Sequence, residues 1–199
     1  MTMTPEQVTQ AIWEKFHVKR GDTLPFVGWY NSTREHLAQL FNEVGYKYGA
    51  EVGVAKGHHA YRLFRNIPDL KLMCVDPWGA YNRLSRQKAD VRHEMCLKRL
   101  APYDVDYRVM GSMEAVKDVP DGSLDFVYID GLHEFDPVML DLIHWTPKVR
   151  AGGIIAGHDY YHFYQAGIIN AVNAYTVSHN INEWYVTRDK EASFFWVQK

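Results

Sequence analysis

The chain has 199 residues, 47% hydrophobic and 23% charged, with a formal net charge of −2. That is the length of one domain with a core large enough to fold alone, and the near-neutral charge without a long basic block argues against a duplex nucleic acid partner. No stretch approaches the roughly 18 apolar residues of a membrane span, residues 1–10 lack a signal-peptide run, and Cys74 and Cys96 show no pairing by spacing, so a reducing, cytoplasmic setting is expected.

Residues 5–16 predict a helix with Thr4 as N-cap and Pro5 in first position, its apolar residues Val8, Ile12 and Phe16 recurring on one face. Residues 21–28 read as a loop. A second helix starts near Ser32 or Thr33. Glu35, three residues after Ser32, has capping-box spacing, and Leu37, Leu40, Phe41 and Val44 follow. From residue 47 strands and helices alternate. Strands are expected over 48–54, 71–75, 105–110, 124–129 and 153–156, and helices over 58–66, 85–100, 112–118, 136–149 and 164–178. Two final strands, 184–187 and 194–197, are joined by Arg188-Asp189-Lys190-Glu191. The charges of Arg83, Arg86, Lys88, Arg92, Lys98 and Arg99, interleaved with Asp90 and Glu94, read as a solvated helix face.

Five alternations argue for a doubly wound α/β fold of Rossmann-like type, a mostly parallel sheet with helices on both faces. The last two strands have too short a connection for a crossover, so they form a C-terminal hairpin with one strand antiparallel to the rest. Ligands of such sheets sit at the carboxyl ends of the strands. There the sequence collects Glu51 with Gly53 and Gly57, then Asp76, Gly111-Ser112, Asp130, and His158-Asp159. Glycines after a first strand let backbone approach a ligand, and an acid ending the second strand can accept ribose hydroxyls or cap the following turn.

In order and spacing, Glu-Val-Gly-Val-Ala-Lys-Gly, Val-Asp-Pro-Trp, Leu-Asp-Phe-Val-Tyr-Ile-Asp-Gly-Leu-His and Gly-Gly-Ile-Ile-Ala-Gly-His-Asp-Tyr resemble class I S-adenosylmethionine-dependent methyltransferases, nearest to a small bacterial and phage subgroup and similar to metal-dependent O-methyltransferases. The resemblance implies that Glu51, Gly53, Gly57, Asp76, Ser112 and Asp130 bind S-adenosyl-L-methionine. Many relatives place an acid where this chain has Ser112. It implies a divalent metal, magnesium or manganese, on Asp130, His158 and Asp159. Catalysis would fall to Asp130 with His133 or His158 as proton acceptor. Methyl transfer to a hydroxyl of a small molecule or sugar is the expected function. A nicotinamide-dependent oxidoreductase is the alternative, disfavoured by the missing G-x-G-x-x-G, with a non-catalytic cofactor-binding module as a further one. Residues 46–199 would form the methyltransferase domain, and 1–45 a helical cap, lid or homodimer contact. The aromatic residues Trp29, Tyr30, Trp78, Tyr81, Tyr160, Tyr161, Phe163 and Tyr164 are candidates to wall an acceptor pocket.

Overall fold

The computed structural model describes residues 2–18, 23–28, 32–80, 84–163 and 166–199. The strands among these residues are β1 (Phe26–Val27), β2 (Tyr48–Val52), β3 (Lys71–Val75), β4 (Val105–Arg108), β5 (Leu124–Ile129), β6 (Val149–Gly157), β7 (Tyr185–Val186) and β8 (Phe194–Val197). They form one sheet in the order β1-β7-β8-β6-β5-β2-β3-β4. Among the described residues β8 alone runs against the rest, antiparallel to β6 and to β7. The fold is the expected Rossmann-like one, with the hairpin strand β8 inserted between β6 and β7.

Seven helices accompany the described strands: α1 (Pro5–Phe16), α2 (Arg34–Glu43), α3 (His58–Asn66), α4 (Arg86–Leu100), α5 (Ser112–Ala115), α6 (Phe135–Trp145) and α7 (Ile168–Ser178). The first four cover one face of the sheet, burying Ile12, Phe41, Leu63 and Leu100. The last three cover the other, burying Ala115, Leu142 and Val172. None is long and apolar enough to cross a membrane.

Where the structure departs from the sequence pattern, the reasons are local or tertiary. Thr33 is the N-cap of α2, and the Ser32 hydroxyl is buried without a partner, so the Ser32–Glu35 capping box does not form. Glu35 reaches Arg62 and Asn66 on α3 instead. Helix α6 ends at Trp145, because Pro147 has no amide to donate and lies in a 3-10 turn, Thr146–Lys148. Strand β6 is longer than expected, and its register against β5 shifts between Leu124 and Phe126. Strand β1 lies within the stretch read as a loop. It pairs in parallel with β7, Phe26 opposite Tyr185. Its neighbour α1 is capped as expected by Thr4, and Val8, Ile12 and Phe16 are buried. The Trp13 indole donates to the Tyr185 hydroxyl at 2.8 Å. These parts of the N-terminal segment are thus fused to the edge and core of the sheet.

Strand β2 pairs with β3 on one side and β5 on the other, so the chain winds outward to β4 and returns to start again beside β2. That reversal opens a crevice at the carboxyl ends of β2 and β5. Gly53 makes the crevice possible. Its φ is +90°, and a Cβ there would stand 2.0 Å from the Asp130 carbonyl oxygen, so a side chain would both strain the backbone and collide with β5.

Candidate active site

A cavity of about 440 Å³ opens at this crevice. Gly53, Asp76, Ser112 and Asp130 line it, as does Asp141 from α6. Asp76 follows β3 and accepts three backbone amides. Val54 and Ala55 bond Oδ2 at 3.1 and 2.9 Å, and Trp78 bonds Oδ1 at 2.7 Å. The carboxylate thereby ties the turn after β2 to the turn after β3. The Trp78 indole donates to the Ala55 carbonyl, and its ring stacks on His93. On the far side, the Ser112 hydroxyl donates to Asp141 Oδ1 and accepts the Trp145 indole N–H at 2.7 Å.

Beside the cavity, side chains from the ends of β5 and β6 meet. His158 Nδ1 lies 2.9 Å from Asp159 and 3.5 Å from Asp130, and His133 Nε2 lies 3.2 Å from Asp159 and 4.0 Å from Asp130. Asp159 adopts φ +61°, a left-handed turn that Asp tolerates and that aims its carboxylate back toward the strand ends. Burial works against a charge on His158, but the bonds and charges of Asp130 and Asp159 outweigh it and lift the imidazole to about 9. Burial also raises Asp130, against the pull of His158. For Asp159 burial is overcome by its bond to His158 and the charges of His158 and His133, and its carboxyl is held low. A charged His158 therefore neutralises two adjacent carboxylates. His133 is the more accessible imidazole, with 43% of its side chain exposed.

The fold and the site stand beside a match in sequence. A family model described as "methyltransferase domain" matches residues 50–160, more than half of the chain. The chain belongs to this methyltransferase family. No curated protein matches it. Among solved structures, an O-methyltransferase from Bacillus cereus in complex with SAH superposes with a TM-score of 0.64 at 12% identity, covering 98% of this chain and 90% of that one. The O-methyltransferase TomG from Streptomyces achromogenes, involved in tomaymycin synthesis and in complex with SAM, gives 0.59 at 14%, covering 100% and 92%. At such identities the likeness speaks for the fold.

The methyltransferase brings only part of the expected site together. Gly53, Asp76, Ser112 and Asp130 share the cavity. Gly57 does not line it. It is the N-cap of α3, and a Cβ there would meet Cys96 and Leu100 of α4. Glu51 lies beneath the sheet, 1% exposed, with Oε2 unpaired and 3.7 Å from His59. Burial, then the charges of Asp130 and Asp76, push its carboxyl up. Burial likewise pushes His59 down. Ligand atoms of Asp130, His133 and Asp159 lie within 4.8 Å of one another, whereas His158 is held against the two acids from behind. Of the aromatic candidates, Trp78 lines the cavity, Tyr161 stacks on Phe163, and Tyr160 meets Trp184 edge to face and bonds Asn173. Trp29, Tyr30, Tyr81 and Tyr164 fall outside the described residues.

The sequence reading missed Asp141 and His59. A signal for Asp141 existed. In α6 the buried residues are Val138, Asp141, Leu142 and Trp145, one helical stripe, and an acid inside an apolar stripe is out of place unless something pairs with it. His59 sits on the stripe of α3 with Ala60, Leu63 and Phe64, and its ring stacks on Tyr128 at 3.8 Å.

Proposed function

We propose that this protein is an S-adenosylmethionine-dependent O-methyltransferase acting on a hydroxyl of a small molecule or sugar. The observation that carries the proposal is the shared position of Asp130, which lines the cavity and belongs to the acid–histidine cluster beside it. A site for methyl transfer needs these two parts adjacent, one to hold a donor and one to receive a proton. The cofactor, when bound, supplies a methyl group on a good leaving group. The cavity volume lies within the range of small-ligand sites. Two of the structural neighbours carry SAH and SAM.

In this reading Asp76 keeps the turns after β2 and β3 in place and offers its remaining lone pairs to ribose hydroxyls. Gly53 lets the backbone approach. His133, oriented by Asp159, takes the acceptor's proton. His158 holds Asp130 and Asp159 in register and balances their charge. The convergence of Asp130, His133 and Asp159 favours a second version of the same site, in which they hold magnesium or manganese and the cation lowers the acceptor hydroxyl's pKa as a Lewis acid. The buried, unpaired Cys74 and Cys96 support a reducing, cytoplasmic setting.

The test is methyl transfer from radiolabelled S-adenosylmethionine to a panel of catechols, phenols and sugars. It is run in chelator and then with single metals added back. Transfer to oxygen is expected. Full activity in chelator would assign His133 as an unassisted base, and activity restored by magnesium or manganese would assign the cation. No cofactor binding by tryptophan fluorescence would remove the proposal altogether.

A further inference from the structure

Asp141 is 4% exposed and lines the cavity. One of its oxygens, Oδ1, accepts the Ser112 hydroxyl, and Ser112 is itself held by the Trp145 indole. The other, Oδ2, stands near Gly131 and has no hydrogen-bond partner among the described residues. Burial lifts the Asp141 carboxyl to about 6, with the Ser112 bond pulling the other way, so at pH 8 it is ionised. An ionised carboxylate oxygen that opens on a cavity is free to accept a donor from a ligand there. Here it faces a cavity whose nearby walls, Met113, Leu132, Pro137 and Leu140, are apolar. That end of the cavity offers apolar walls and one open acceptor, which suits an apolar body bearing an N–H donor.

We infer that Asp141 reads the purine base of the cofactor, Oδ2 accepting a hydrogen bond from the exocyclic amine, with Ser112 and Trp145 as the positioning residues that aim it. The inference rests on the S-adenosylmethionine reading above. The direction of the relay gives it a sharp consequence. The Trp145 N–H occupies one lone pair of the Ser112 oxygen and the carboxylate accepts the Ser112 hydrogen, so an acceptor at this position keeps both bonds. In Asp141→Asn an amide oxygen facing Ser112 keeps the Ser112 bond, and this orientation turns the NH₂ group into the cavity. A site that accepted an amine then donates to a carbonyl. The variant should exchange a preference for a 6-amino purine for one for a 6-oxo purine.

The experiment measures calorimetric binding of S-adenosylhomocysteine and of its 6-oxo analogue, S-inosylhomocysteine, at pH 8. The parent should prefer the 6-amino ligand by at least about tenfold, the scale of a charge-assisted hydrogen bond. Asp141→Asn should lose about tenfold or more for that ligand and reverse the order. In the double variant Ser112→Ala, Asp141→Asn the amide is free to turn, and the two ligands should bind alike. A parent that binds both equally overturns the inference without any variant being needed. So does an Asp141→Asn protein that keeps the parent's ratio. A parent that binds neither ligand fails the cofactor reading itself, which is a different result.

Discussion

Asp76 and His158 both stand just beyond a strand of the same sheet, yet they are held in different ways. Asp76 is fixed by three main-chain amides from two neighbouring turns. His158 is fixed by two carboxylates that would repel each other without it. The cavity side of the site is therefore built on backbone, and the cluster side on side-chain charge. A backbone-built pocket keeps its shape as long as the turns persist. A charge-built cluster keeps its shape only in the protonation state that balances it. The first suits binding of a constant cofactor, and the second suits moving a proton.

The sharpest way to break that division is to strike where the two sides meet. Gly53→Ala places a Cβ 2.0 Å from the Asp130 carbonyl at φ +90°. Strain and collision together should cost more than about 3 kcal/mol, lowering the melting temperature and removing cofactor binding and turnover at once. A variant that melts like the parent and keeps either function would show that the two sides do not share this junction.

His133→Ala tests the division from the cluster side. With His133 as the proposed proton acceptor, its loss should lower kcat by about 10²–10⁴-fold while the dissociation constant for S-adenosylmethionine stays within about twofold. A loss of cofactor affinity as large as the loss of rate would mean that the cluster also builds the binding site.

The smallest effect is on stability. The folded value of His158, about 9, lies above its ordinary value of 6.5. Its charge therefore contributes stability in full below 6.5, and that contribution is lost as the pH rises through 9. Between pH 7 and 10 the parent should lose a few degrees more of melting temperature than His158→Gln, at about 2–4 °C per kcal/mol for a domain of this size. Parallel curves would mean that the imidazole is uncharged between the two acids.

The sequence alone determined the parts that depend on neighbours along the chain. The alternating apolar runs specified β2 through β6 and the helices between them, because period and turn residues are local properties. They also placed Gly53, Asp76, Ser112, Asp130 and Asp159 at strand ends, and strand ends are where such a sheet binds. The hairpin was legible because the short connection, residues 187–193 between β7 and β8, cannot carry a crossover.

Only the tertiary structure decided the rest. Strand β1 has two residues and owes its existence to β7, which arrives from the other end of the chain. Glu51 has the right neighbours in sequence for a ligand contact, but the alternation of β2 turns it beneath the sheet toward His59. His158 and His133 both come within reach of Asp130 and Asp159, and only the packed strand ends decide that His158 is buried against the acids while His133 is the more exposed imidazole. Asp141 stands 29 residues from Ser112, and only the packing of α6 against α5 brings this buried acid to the wall of the cavity. Each of these rests on contacts distant in sequence, and local patterning carries no record of which distant residues will meet.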